Sequence, residues 1–152
     1  MKSSDKLRIL LDSTYLLPIL GVEVAGLEDT LRILAEISRA NRAEFYYTPF
    51  NILEVMGKIA KTRYDREVVS KGLRLIVEEF IEITPTCEGY LKALELRRKG
   101  FKDLIDLLLY STALTRNLLF LTRDRELIEF LEGIGEKTHN ILIEEKLEEI
   151  NL

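Results

Sequence analysis

Five short apolar runs, each joined to the next by segments with helical spacing, constrain this chain more than any other feature of it. LRILL (7–11), EFYY (44–47), IEIT (81–84), LLFLT (118–122) and NILI (140–143) have the length and composition of strands. STYLLPIL after the first run reads as a helical turn. Leu27, Leu31, Leu34 and Ile37 share one helical face, as do Val69, Leu73, Ile76 and Phe80. Thr48-Pro49 is a helix start, with Thr as N-cap and Pro at the first helical position. Further helices are expected over 87–99, stopped by RRKG, over 103–116, and in DRELIEFLEG. Strands alternating with helices predict an α/β fold, a mostly parallel five-stranded sheet covered on both faces. In such sheets ligands sit beyond the C-terminal ends of the strands, where strand order reverses. Asp12 and Asp124 both fall just past such an end.

Composition narrows the chemistry. With 152 residues, the chain suits one domain spanning 1–152. Its one cysteine, Cys87, allows no intrachain disulfide and fits a reducing compartment. No apolar run is long enough to span a bilayer. The start, MKSSDKLRILLDSTYLLPIL, loosely mimics a signal peptide, but Asp12 interrupts it and no clear cleavage site follows, so a cytoplasmic protein is expected. One Cys and one His (His139) make a zinc site or a Ser-His-Asp triad improbable. GIGEKT (133–138) fails as a phosphate loop, and no dinucleotide fingerprint follows the first run. DSTY lacks the Asp-x-Asp of haloacid-dehalogenase-type phosphatases, and IEITPTC lacks a receiver's phosphoacceptor. A net charge of −4 counts against coating nucleic acid by charge alone. It is compatible with carboxylates holding a cation that meets phosphate.

The acids that remain are Asp12, Glu54, Asp103, Asp106 and Asp124. Each has an ordinary explanation. Asp12, Asp103 and Asp124 can N-cap the helices that follow them. Asp106 in a first turn suits the helix dipole. Glu54 shares a polar stripe with Asn51, Lys58 and Lys61 and can pair with Lys58. Together they suggest more. Capping does not require two strand-end acids, an acid on an intervening helix and an acid at the start of another. A site for Mg²⁺ or Mn²⁺ does, because these ions prefer oxygen ligands and offset the repulsion among clustered carboxylates.

The sequence resembles the PIN domain family, and most of all its small stand-alone VapC toxin ribonucleases, from ILLDSTYLL to LLFLTRDREL. Asp12-Ser13-Thr14 matches the family's first acid block, and Thr48-Pro49 followed by Glu54 matches the second. Asp106 with Ala113 matches the third, where the alternative ligand is Asp103. Thr122-Arg123-Asp124 matches the fourth. Leu107–Leu109 depart from the small residues common after the third acid. The resemblance implies a three-layer α/β/α sandwich of strand order 3-2-1-4-5. It implies one or two Mg²⁺ or Mn²⁺ ions on Asp12, Asp106 and Asp124, with Glu54 completing the pocket. Ser13, Thr122 and Asp103 are supporting groups. Arg123 and Arg125 are candidate contacts for RNA, and Lys58, Lys61, Arg63 and the LRRKGFK stretch (96–102) are further cations. The implied activity is metal-dependent hydrolysis of single-stranded RNA. The implied partners are an RNA substrate, a small antitoxin and a second copy of the chain. The alternative is a PIN-fold module that binds RNA or protein without cutting.

Overall fold

The computed structural model describes residues 6–150; the lysine-bearing start of the signal-like stretch, residues 1–5, lies outside them. Strands β1 (Leu7–Leu11), β2 (Ala43–Tyr47), β3 (Ile81–Glu82), β4 (Leu119–Thr122) and β5 (Ile141–Ile143) form one all-parallel sheet. Its order is β3-β2-β1-β4-β5, as the resemblance implies. The register aligns Ile9 with Phe45 on one side of β1 and with Leu119 on the other.

The sheet separates two cores, and strand pleating decides which residue serves which. Ile9, Leu11, Phe45, Tyr47 and Leu121 join one cluster; Leu10, Tyr46 and Phe120 join the other. Successive side chains point to opposite faces, so both faces must be apolar for both to be covered. Helices α1 (Glu28–Arg39), α2 (Pro49–Ile59) and α3 (Arg66–Glu79) cover the first face through Ile33, Ile37, Val55, Ile59 and Ile76. Helices α4 (Cys87–Arg98), α5 (Leu104–Thr115) and α6 (Arg125–Gly133) cover the second. Helix α5 is buried at every position from Asp106 to Ala113, which explains its apolar circumference.

Three details differ from the sequence expectations. The segment after β1 is two 3₁₀ turns, Ser13–Tyr15 and Pro18–Leu20, rather than one helical turn. Strand β3 holds two residues instead of four; one more ladder bond, Ile83 N–H to the Tyr47 carbonyl at 2.9 Å, carries the pairing on before Pro85. After β5 the described residues form a 3₁₀ turn, Glu144–Lys146, and a short helix α7 (Leu147–Ile150), which the sequence pattern does not announce. Helix α3 rests on the Pro18–Leu20 turn at Gly72. A Cβ there would lie 2.3 Å from the Ile19 carbonyl oxygen, so only glycine permits this approach. Among the described residues no helix is long and apolar enough to cross a membrane.

Candidate metal centre

Strand β1 has β2 on one side and β4 on the other, so chain order reverses between β1 and β4. The two strands end together: the Asp12 N–H donates to the Leu121 carbonyl at 3.1 Å. This is the crevice where open parallel sheets bind ligands.

Asp12 sits there without serving as a cap. It precedes the Ser13–Tyr15 turn, but its side chain makes no capping hydrogen bond. Instead its Oδ2 accepts from the Thr122 hydroxyl at 2.8 Å. Only 7% of the residue is exposed. Burial pushes its pKa from 3.8 to about 6, with the Glu54 charge adding to the rise and the Thr122 hydroxyl and local amides opposing it.

Asp106 lies in the first turn of α5 and is also buried. Burial and the charges of Asp12, Asp103 and Glu54, with a hydrogen bond shared with the Asp124 carboxylate, hold it far above the ordinary carboxylate range. Glu54 is half-buried on α2. Carboxylate oxygens of Asp12, Glu54 and Asp106 all lie within 4.8 Å of one another. The Glu54–Lys58 pair that would have explained Glu54 does not form among the described residues.

Asp103 and Asp124 both act as N-caps. Asp103 Oδ1 accepts from the Asp106 N–H at 3.1 Å and remains exposed, while Asp106 joins the cluster. Asp124 Oδ1 accepts from the Leu127 N–H at 3.2 Å, and Asp124 stands outside the three-carboxylate group while touching Asp106. Thr122 links the two strand-end acids: its hydroxyl donates to Asp12 and accepts from the Asp124 N–H at 3.0 Å.

Asn51, which helical spacing places on a polar stripe, is fully buried. Its Nδ2 donates to the Leu11 carbonyl at 3.0 Å and to Ser13 Oγ at 3.1 Å, the residues either side of Asp12. Its Oδ1 accepts from the Thr48 N–H at 2.7 Å and the Thr48 hydroxyl at 2.9 Å, closing a capping box at the start of α2. One side chain thus ties the end of β1 to the helix that carries Glu54 one turn later. Ser13, buried, takes part as the acceptor of this tether.

Arg123 and Arg125 are drawn away from the acids. Arg123 binds the Ala25 and Gly26 carbonyls and pairs with Glu144 at 3.2 Å, and Glu144 also accepts from the Tyr15 hydroxyl at 2.7 Å. Arg125 pairs with Glu145.

The donor set fits a hard divalent cation. Three carboxylates converge, two of them buried, and no lysine or arginine pairs with them among the described residues. Burial, and next to it the neighbouring carboxylates, raise the pKa of both aspartates, and a cation among them would favour their ionised forms.

The fold is a parallel α/β/α sheet with three acids gathered at its switch point, the place where open sheets of this class bind their ligands. The PIN domain profile matches residues 9–131, and the chain belongs to this family. No curated protein matches the sequence. Solved structures share the fold at low identity. The VapBC2 complex of Rickettsia felis bound to a promoter DNA fragment superposes with a TM-score of 0.60 at 17% identity, covering 90% of this chain and 97% of that one. DNA-bound VapBC of Salmonella typhimurium gives 0.60 at 13%, covering 91% and 98%. A protein of Pyrobaculum aerophilum gives 0.60 at 18%, covering 95% and 89%.

Proposed function

We propose that the protein is a Mg²⁺- or Mn²⁺-dependent endoribonuclease acting on single-stranded RNA, and the toxin of a toxin–antitoxin pair. The observation that carries the reading is the buried convergence of Asp12, Glu54 and Asp106 at the sheet's switch point. A divalent cation bound there would offset the repulsion among these carboxylates.

Asp12 and Asp106 would hold the cation, with Asp124 acting beside Asp106. When bound, it would supply charge neutralisation at the phosphate and a more acidic water. Glu54, less buried than the two aspartates, would accept a proton from the attacking water. Thr122 aims the Asp12 carboxylate, and Asn51 fixes the spacing between Asp12 and Glu54. Hydrolysis in line would leave a 5′-phosphate and a 3′-hydroxyl.

The toxin assignment rests on family membership and on structural neighbours described as toxin–antitoxin and VapBC complexes. A small antitoxin is the expected protein partner. A homodimer is the expected assembly, supported by exposed Tyr90, Leu91 and Leu94 along α4, and light scattering checks it. A cytoplasmic site of action is part of this reading, and the single cysteine suits a reducing compartment.

The test is cleavage of unstructured RNA by the purified, antitoxin-free chain in Mn²⁺ or Mg²⁺, with EDTA and Asp12→Asn as controls. Cleavage abolished by both supports the reading. Absence of both cleavage and Mn²⁺ binding by calorimetry refutes it and favours the non-cutting RNA- or protein-binding module.

A further inference from the structure

Four carboxylates, Asp103, Asp106, Asp124 and Glu126, border an open cleft of about 430 Å³ that runs up to the acidic centre. An RNA phosphate entering it meets repulsion unless a cation stands nearby. Arg123 and Arg125, the nearest cations in sequence to Asp124, are held by Glu144 and Glu145. Arg63, on the α2–α3 side, lines a different cleft with Tyr64 and Asp65. One cation does line the acidic cleft: Lys102.

Lys102 belongs to the turn between α4 and α5; with Arg97 and Arg98 at the end of α4 and Lys99 just after it, it makes four cations without an acid among residues 96–102. All four are exposed, and none makes an ion pair among the described residues. Arg97 and Arg98 have an ordinary role at the C-terminal end of α4, offsetting its dipole. That role does not reach Lys102, which lies beyond the helix. The turn is anchored on both sides of its bend: the Gly100 N–H donates to the Arg97 carbonyl at 3.1 Å before it, and Phe101 is packed after it. Gly100 has φ +121°, with open space where a side chain would stand. Phe101 packs on Phe130 of α6 with ring centroids 5.2 Å apart. Lys102 is therefore presented at the cleft by a seated residue.

We propose that this turn is the phosphate-binding wall of the substrate cleft, and that Lys102 receives a backbone phosphate of the RNA next to the acidic centre. The inference rests on the ribonuclease reading and adds the route by which the strand reaches the acids. Lys102 binds substrate and takes no part in metal binding, so its contribution appears in KM and in salt dependence.

The experiment measures KM and kcat for cleavage of an unstructured oligoribonucleotide in Mn²⁺ at several salt concentrations. The variants are Lys102→Gln, Lys102→Arg and, as a control for charge loss on α3, Lys71→Gln. Lys102→Gln is expected to raise KM about fivefold at moderate salt, with kcat nearly unchanged. Its log KM should depend on log salt with a slope smaller by about 0.7, one phosphate contact on a single strand. Mn²⁺ affinity by calorimetry should equal that of the wild type, and Lys102→Arg should restore KM. An unchanged KM and slope in Lys102→Gln, or an equal change in Lys71→Gln, overturns the inference while the ribonuclease reading stands. A wild type that neither binds nor cuts RNA overturns both.

Discussion

Asp12→Asn is expected to raise the stability of the metal-free protein while abolishing metal binding and cleavage. In the folded chain the Asp12 pKa is about 6 against 3.8 for an unperturbed group, and the residue is 7% exposed. A carboxyl with a raised folded pKa contributes its full share of stability below pH 3.8, and that share is lost as pH rises through about 6. Above pH 6 the penalty is about 3 kcal/mol, because each tenfold change in proton affinity is worth roughly 1.4 kcal/mol. Asparagine escapes the penalty. Its side-chain oxygen can still accept from the Thr122 hydroxyl. Urea denaturation in EDTA from pH 4 to pH 8 checks this. The variant and wild type should nearly coincide at pH 4, and the variant should be more stable by up to about 3 kcal/mol at pH 8. Mn²⁺ at a hundredfold excess over its Kd should then stabilise only the wild type, by about 2.7 kcal/mol. A variant less stable than wild type at every pH, or a difference that does not change with pH, would refute the reasoning.

Three other substitutions test the supporting structure. Asn51→Ala leaves the Leu11 carbonyl and the Thr48 N–H without their buried partner, so urea denaturation should show a loss of about 3 kcal/mol; a loss under about 1 kcal/mol would mean the tether is dispensable. Thr122→Val removes a hydrogen bond that favours the ionised Asp12. The Asp12 pKa then rises further, and the pH midpoint of Mn²⁺ binding by calorimetry should move up by about one unit. Gly72→Ala gains about 1 kcal/mol of helix propensity but drives a Cβ to 2.3 Å from the Ile19 carbonyl. The collision prevails, so thermal melting should give a lower Tm than wild type.

Much of the fold is legible because both faces of the sheet are buried. An apolar run such as LRILL serves two cores at once, Ile9 and Leu11 on one side and Leu10 on the other. Helix boundaries are legible where a side chain satisfies the first free N–H groups, as Thr48, Asp103 and Asp124 do. The C-terminal turn and α7 are not, because Glu144–Ile150 is mostly charged. Its order comes from tertiary partners: Tyr15 and Arg123 on Glu144, and Leu147 in the first core.

That same turn explains why sequence proximity misleads at the centre. Arg123 and Arg125 flank Asp124 in the chain, but the acids that engage them lie about twenty residues further on. Asn51 is hidden for a related reason. Its two donors meet residues 40 and 38 positions away, and only its place three residues after Thr48 hints at a capping role. The ordinary and functional readings of the acids also prove compatible. Asp103 holds the Asp106 amide, and Asp124 holds the start of α6 while touching the Asp106 carboxyl. Each cap fixes a carboxylate at a helix start that the sheet places beside its switch point. Capping therefore supplies the rigidity that a metal centre needs, whereas Asp12, whose side chain makes no capping bond, shares with Asp106 the electrostatic cost that a cation would relieve.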